Sequence, residues 1–282
     1  MRLGVHIRIA GGLVKALDTA RELGCEAVQL FSSNPNAWTR RPIDLETAEA
    51  FAAKAAALDI HPIILHTPYL LNLAAPDNDV WRKSKYALAD ALRRAPPMGA
   101  GVVVTHIGSH KGAGYEYGVR RIAEALAFAL GAAKEPIVVL ELGSGAGHSI
   151  GSRFAEIADI TTALGDAAAR VGVAIDTAHL WGAGYDVSSA DGVEATLAEL
   201  DRCVGLQKLK VVHLNDTQVP LGSRRDRHYH IGKGRIGLDG FRALINHPAM
   251  RDLPGIIETP AGDGLTLDKQ NLDALRAIRD AA

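Results

Sequence analysis

Eight short runs rich in Val and Ile recur along the chain, and each is almost continuously apolar instead of alternating between apolar and polar residues. This pattern is typical of parallel strands that are buried on both faces. It predicts eight strands, over Leu3–Ile7, Ala27–Phe31, Pro62–His66, Val102–His106, Ile137–Glu141, Val171–Asp176, Lys210–Leu214 and Gly255–Glu258.

Alanine-rich segments with a 3.6-residue apolar period separate these strands and predict a helix after each of them. In the segment Asp44–Leu58, for example, Phe51 and Ala55 share one face and Asp44 can cap the first turn. The other predicted helices are Leu13–Leu23, Asp77–Ala95, Tyr117–Ala133, Arg153–Arg170, Ala190–Cys203, Leu238–Asn246 and Leu267–Ala281.

Eight strand and helix units in one chain of 282 residues match an α/β fold of the (β/α)₈ type, the TIM barrel. An open sheet of the same strands would leave two edges to protect, whereas a closed barrel leaves none. No glycine-rich linker divides the series, so we expect residues 1–282 to form a single barrel domain with its active site at the C-terminal ends of the strands.

The formal net charge of −1, with 22% charged residues, gives no global sign of a nucleic-acid-binding protein. A long polar segment, Asn215–Gly237, nevertheless concentrates positive charge after the seventh strand. Its basic residues form either a local DNA-binding surface or an ordinary solvated face. They are Arg224, Arg225, Arg227, Lys233 and Arg235.

The chain has no run of about 18 apolar residues, and its first residues lack the apolar stretch of a signal peptide. We therefore expect a cytoplasmic protein without a membrane-spanning segment. The only two cysteines, Cys25 and Cys203, are far apart in sequence, which suits a reducing compartment and excludes a zinc site built from thiolates.

Six of the eight predicted strands have a residue type that binds metals at their last or next-to-last position, in unbroken succession from the third strand to the eighth. The ends of barrel strands converge on one mouth, so these six side chains would meet in one cavity. Unpaired, they would be costly to desolvate, whereas divalent cations would neutralise the carboxylates and use the imidazole lone pairs. The six residues are His66, His106, Glu141, Asp176, His213 and Glu258.

Two further spacings add candidate ligands. His179 lies three residues after Asp176, and His228 lies two residues after Asp226, where an extended loop would direct both side chains to the same side. His230 shares that phase, and spacing alone does not choose between it and His228. A set of imidazoles and carboxylates without cysteine fits Zn²⁺, Mn²⁺ or Fe²⁺ with positions open to water, and Glu141 could bridge two ions.

Several other segments and histidines are not assigned to the predicted metal site. The glycine-rich segment 143–151 reads either as a loose phosphate-cradling loop or as a tight turn between a strand and its helix. The remaining histidines are interpreted as supporting, surface or packing residues. They are His6, His61, His110, His148, His230 and His247.

Several long motifs resemble the endonuclease IV type of apurinic/apyrimidinic endonuclease, which belongs to the xylose isomerase-like TIM barrels. The resemblance covers nearly the whole chain. It rests on QLFSSNPNAW, LHTPYLLNLAAP, THIGSH, VVLELGSGAG, IDTAHLWGAGYD, VHLNDTQVPLGSRRDRHYHIGKGRIG and IIETP.

The resemblance implies three zinc ions, with Mn²⁺ or Fe²⁺ as possible substitutes, and a role for Glu141 and Glu258 in catalysis. Carried across, His66, His106 and Glu141 hold one ion. Glu141, Asp176, His213 and Glu258 hold the second, and His179, Asp226 and His228 hold the third, which favours His228 over His230. The implied reaction is hydrolysis of the phosphodiester 5′ to an abasic site in duplex DNA, leaving a 3′ hydroxyl, with removal of 3′ blocking groups as an accompanying activity.

The resemblance also implies DNA contacts around the mouth of the barrel. Tyr69 and Leu70 match residues that insert into the DNA stack, and Asn36, Arg225 and Arg227 are the other expected contacts. The chain departs from the family pattern at Asn36, where the family often has a basic residue, and at Ile107, Leu142 and Ala146. No obligate protein partner is implied, and a monomer is favoured.

Two other functions fit parts of the pattern. A sugar isomerase or epimerase of the xylose isomerase-like class shares the architecture and several ligands, but it needs only one or two divalent metals. A DNA-binding module without catalysis would keep the basic loop but would gain nothing from nine ligands. The third metal position, with His179, Asp226 and His228, separates the endonuclease from both.

Overall fold

The computed structural model describes residues 1–9, 11–38, 42–260, 262 and 264–281. Its strands form a closed parallel barrel in chain order, in which the last strand pairs with the first, and this confirms the predicted TIM barrel. The strands are β1 (Arg2–His6), β2 (Ala27–Phe31), β3 (Ile63–His66), β4 (Ala100–His106), β5 (Ile137–Glu141), β6 (Val171–Asp176), β7 (Leu209–His213) and β8 (Pro254–Ile257).

Helices follow the strands and cover the outside of the barrel. They are α1 (Leu13–Glu22), α2 (Leu45–Ala57), α3 (Asn78–Arg94), α4 (Tyr115–Leu130), α5 (Phe154–Leu164), α6 (Thr177–Ala183), α7 (Ala190–Cys203), α8 (Gly237–Ile245) and α9 (Thr266–Arg279). Short 3₁₀ turns lie at Pro96–Met98, Gly165–Arg170, Leu206–Lys208 and Pro248–Met250.

Most predicted bounds agree with the structure to within three residues, but one helix end, one additional helix and one helix cap differ. The helix predicted over Arg153–Arg170 ends at Leu164, because Gly165 has a φ of 65° and the chain continues as a 3₁₀ turn. The short helix α6, directly after β6, was missing from the prediction. Asp44 precedes α2 as expected, but its carboxylate accepts the hydroxyl of Thr47 instead of a backbone N–H.

Two apolar layers stabilise the barrel. The larger layer packs the outward faces of the strands against the helices and includes Phe51, Phe154 and Phe241, all fully buried. The smaller layer consists of one fully buried residue from each of seven strands. These residues are Ala27, Ile64, Val104, Val139, Ala174, Val211 and Ile256.

The segment between β7 and α8, residues 214–236, folds back over the mouth of the barrel. Buried Asp216 anchors it by accepting backbone N–H groups from Thr217, Gly234, Ile236 and Gly237, at 2.8 to 3.3 Å. The indole of Trp181 in α6 donates to the carbonyl of Val219, at 2.9 Å. These contacts explain how a long polar segment takes a fixed path.

Among the described residues, no helix combines the length and the apolar character that crossing a membrane requires.

Candidate metal centre

The alternation of side chains along each strand determines which polar groups reach the mouth of the barrel. Because every second residue of a strand lies on the same face, the residue two positions after an interior apolar residue also points inward. Seven strands follow this rule. After the interior residues come Gln29, His66, His106, Glu141, Asp176, His213 and, just beyond the end of β8, Glu258.

Glu141 lies at the centre of the cluster and is almost fully buried. Its Oε2 is 3.1 Å from Nε2 of His66 and 3.4 Å from Nδ1 of His106. Its Oε1 is 3.1 Å from Nδ1 of His213 and 3.4 Å from Nδ1 of His179. The two oxygens therefore face different sets of imidazoles, which is the arrangement that a carboxylate bridging two ions needs.

A second group forms on the other side of Glu141. Nδ1 of His213 lies 3.6 Å from Oε2 of Glu258 and 4.0 Å from Oδ2 of Asp176. One ligand atom from each of Glu141, Asp176, His213 and Glu258 can be chosen so that all four lie within 4.8 Å of one another. The same holds for the group of His66, His106 and Glu141.

The third group combines the start of α6 with the folded-back segment. His179, Asp176 and His228 offer ligand atoms within 4.8 Å of one another. Asp226, whose side chain is about half exposed, lies 3.2 Å from Nε2 of His179 and 3.3 Å from Nε2 of His228. The structure thus brings together all nine residues singled out from the sequence, with Asp176 next to both the second and the third group.

The hydrogen bonds of the imidazoles fit cation binding. Backbone carbonyls of Thr67, Leu142 and Glu258 accept from Nδ1 of His66, His179 and His228, at 2.7, 2.8 and 3.1 Å. In the neutral form of each ring the proton is then on Nδ1, and Nε2 can present its lone pair to a cation in the cluster. Nε2 of His228 is buried and has no hydrogen-bond partner among the described residues, although two carboxylates lie within 3.4 Å.

The carboxylates are held in place by backbone and amide groups. Oδ1 of Asp176 accepts the backbone N–H groups of Ala178 and His179, which caps α6, and its Oδ2 accepts from the amide of Asn215, at 2.7 Å. Oδ1 of the same Asn215 accepts the backbone N–H of Glu258, at 2.8 Å. Asn215 therefore ties two carboxylate-bearing elements together.

The electrostatics show that the cluster needs positive charge. Burial alone would raise the pKa of Glu141, but His106 and His213 hold it well below its usual range. Burial lowers the pKa of His213, yet the charges of Glu258 and Glu141 raise it to about 9. In the same way Asp176 and Asp226 raise the pKa of His228 to about 10 against the effect of burial. Without cations, protons on His213 and His228 supply positive charge to the cluster.

The expected DNA-contacting residues lie around this cluster with different exposures. Tyr69 is 59% exposed, and its ring is 6.2 Å from that of His106 and 4.9 Å from that of Phe31. Leu70 beside it is half-buried, and Asn36 is exposed. Arg225 and Arg227 are exposed on the folded-back segment, where Arg227 donates to the carbonyl of Asp226.

The other histidines lie outside the three groups. His6 contacts Glu258 from behind, with its Nδ1 2.7 Å from Oε1. His230, the alternative to His228, pairs instead with the amide of Asn271, at 3.1 Å. His110 and His148 lie against each other, with ring centroids 5.1 Å apart. His61 and His247 lie near the acidic side chains of Asp59 and Glu194.

The glycine-rich segment 143–151 connects β5 to α5, and a hydrogen bond from the backbone N–H of Gly143 to the carbonyl of Gly151, at 3.0 Å, closes it. The backbone N–H of Gly151 donates to Oε2 of Glu156 at 2.8 Å and is therefore not free to bind a phosphate.

Sequence reasoning missed two buried residues that contact the cluster, Gln29 and Asn215. Gln29 was detectable as a polar residue inside the apolar run AVQLF.

Comparisons with known proteins agree with this geometry. Residues 17–281 match the family model described as xylose isomerase-like TIM barrel. A protein of Chloroflexus aggregans named probable endonuclease 4 is 43% identical over 279 residues, which cover 98% of this chain and 97% of the relative. The crystal structure of endonuclease IV from Thermus thermophilus superposes with a TM-score of 0.89 at 36% identity and covers all of both chains.

More distant structures share the fold alone. A D-tagatose 3-epimerase-like protein superposes with a TM-score of 0.72 at 16% identity, over all of this chain and 99% of the other. The full-length similarity at 43% identity is far closer. The chain therefore belongs to the endonuclease IV family of xylose isomerase-like TIM barrels.

Proposed function

We propose that this protein is a metal-dependent endodeoxyribonuclease of base-excision repair, which cleaves the phosphodiester 5′ to an abasic site and leaves a 3′ hydroxyl. The observation that carries the proposal is the third ligand group. His179 and His228 approach each other and Asp226 in a position that a one-metal or two-metal sugar isomerase does not need. Phosphodiester hydrolysis, in contrast, uses several cations around one phosphate.

Three zinc ions are the proposed cofactors. The donor set of five imidazoles and four carboxylates, without a thiolate, suits zinc with coordination positions left for water and substrate. His66, His106 and Glu141 would hold one ion; Glu141, Asp176, His213 and Glu258 a second; and His179, Asp226 and His228 the third. When bound, the cations supply Lewis acidity toward the phosphate oxygens and lower the pKa of water.

The protein's own residues prepare the site before the substrate arrives. Glu141 and Glu258, the proposed catalytic carboxylates, are fixed by contacts from three strands and so present their oxygens at constant positions. The apolar layer beneath the cluster closes the barrel from below, because seven fully buried side chains fill it. The phosphate can approach only from the mouth, where water can also be displaced.

DNA contacts are proposed for the rim of the mouth. Tyr69 offers an exposed ring next to the cluster, suited to stacking on a base step, with half-buried Leu70 beside it. Arg225 and Arg227 place positive charge beside Asp226, where backbone phosphates would pass. Asn36 is exposed and lines the same cavity as Tyr69 and Glu258, so its side-chain amide is proposed to donate a hydrogen bond to the DNA.

The direct test uses a duplex with one tetrahydrofuran abasic analogue and zinc-loaded protein. We expect a single nick 5′ to the lesion, which EDTA abolishes. The variant Glu258→Gln should lose the nick, because it removes a partly buried carboxylate from the second group. The matched control is Glu124→Gln, which changes an exposed residue of α4, and this variant should cleave like the wild-type protein.

Two results would contradict the proposal. The absence of any nick from protein that carries three metals would exclude abasic-site cleavage and would direct attention to small sugars. Undiminished cleavage by Glu258→Gln would exclude this carboxylate from the reaction.

A further inference from the structure

Gln29 lies at a position where the barrel interior changes from apolar to charged. It is fully buried in the middle of β2, and its side chain points inward, two residues after Ala27. Its amide contacts two of the proposed metal ligands at once. Nε2 of Gln29 donates to Oε1 of Glu258 at 2.6 Å, and Oε1 of Gln29 accepts from Nε2 of His213 at 2.9 Å.

The charge of Glu258 determines which way the amide faces. If the amide were turned over, its carbonyl oxygen would point at the carboxylate of Glu258 at the same short distance, with no proton between them. The orientation with the NH₂ group toward Glu258 is therefore strongly favoured. The carbonyl oxygen of Gln29 then faces His213, and it can only accept.

This orientation selects the atoms that remain for cations. Nε2 of His213 donates its N–H to the carbonyl oxygen of Gln29, so in the neutral ring Nδ1 has no proton and can offer its lone pair to a cation. Nδ1 is also the nitrogen that faces Glu141 and Glu258. On Glu258, Oε1 accepts from Gln29 and contacts Nδ1 of His6 at 2.7 Å. Oε2 is left for the cluster.

We propose that Gln29 is a positioning residue of the metal centre, which sets the tautomer of His213 and the rotation of the Glu258 carboxylate through one amide. The proposal rests on the metal centre of the proposed function but not on its DNA substrate. It differs from a packing role, because an apolar residue of the same size could fill the same space. The relevant property is the donor and acceptor pair of the amide.

The test measures zinc affinity instead of activity. Gln29→Met keeps the approximate volume of the side chain and removes the three polar contacts of the amide, with Glu258, His213 and Nδ1 of His6. Zinc-loaded protein is titrated with a competing chelator, and the zinc ions released are counted. We expect three zinc ions in the wild type and, in the variant, about 10 to 100 times weaker binding of one of them, the usual effect of losing a partner of a ligand.

Two further variants make the result specific. Leu30→Met changes a buried neighbour in β2 that faces the helices, and it should release zinc like the wild type. Gln29→Glu retains the acceptor for His213 but places a second carboxylate against Glu258, and it should also weaken one zinc ion. If Gln29→Met does not fold, the zinc release of Gln29→Glu tests the proposal in its place.

The thermal unfolding of metal-free protein separates positioning from packing. A lower unfolding temperature together with an unchanged release curve would overturn the proposal, as would equal weakening of all three zinc ions. A wild-type protein that binds no zinc would overturn the zinc centre and the role of Gln29 together. Normal zinc binding by wild type and variants alike would overturn only the role of Gln29.

Discussion

In metal-free protein, His213 should make folding stability depend on pH in the opposite direction from Glu141 and Glu258, because folding raises its pKa and lowers theirs. Burial lowers its pKa, but Glu258 and Glu141 raise it from 6.5 to about 9. A group whose pKa is raised by folding stabilises the protein fully below its unfolded pKa, and the effect disappears as the pH rises through the folded pKa. The difference corresponds to about 3 kcal/mol, lost between about pH 6.5 and pH 9.

The substitution His213→Gln isolates this contribution. Urea unfolding in EDTA is measured for both proteins at about pH 6 and about pH 10, on either side of the window. The substitution should lower the free energy of unfolding by about 3 kcal/mol more at the lower pH than at the higher pH, because only at the lower pH does the wild-type protein have a protonated His213 between carboxylates. His148→Gln, on an exposed loop, is the matched control. An equal cost at both pH values would refute the reasoning.

Three other predictions concern the anchored segment, the core and the rim. Asp216→Asn should destabilise the protein by about 2 kcal/mol and speed hydrogen exchange in residues 214–236, because the buried carboxylate accepts four backbone N–H groups; unchanged exchange there would contradict this anchoring. Phe154→Ala should lower the free energy of unfolding by about 3 to 5 kcal/mol in urea, and a loss below about 1 kcal/mol would mean that the site collapses around the deletion. Tyr69→Ala should weaken binding to abasic duplex in a gel-shift assay by about 1 to 3 kcal/mol, whereas Tyr86→Ala, equally aromatic but on outer helix α3, should not; equal affinities would exclude stacking by Tyr69.

The strand-borne part of the site could be predicted because it follows from local geometry. A parallel strand that is apolar on both faces and ends in a polar residue directs that residue toward the mouth of a barrel. His66, His106, Glu141 and Asp176 were therefore readable from the chain, each at the last position of its strand.

The part of the site that lies on the segment between β7 and α8 could be predicted only in part from the sequence. The spacing of Asp226 and His228 indicated a common side but left His230 as an alternative. The structure separates the two histidines, because the bridge between Asp216 and Tyr229 fixes the return path of the segment. His228 then faces Asp176, while His230 pairs with Asn271 from α9.

The sequence by itself determined the fold class, the number of strands and the kinds of ligand, since these depend on periodicity and residue type over a few positions. Only the tertiary structure decided which nitrogen of each imidazole faces the cluster and which carboxylates lie together in each group. It also revealed that Gln29 connects His213 to Glu258. Those facts depend on distances between atoms that are up to 229 residues apart in the chain, and no local pattern encodes them.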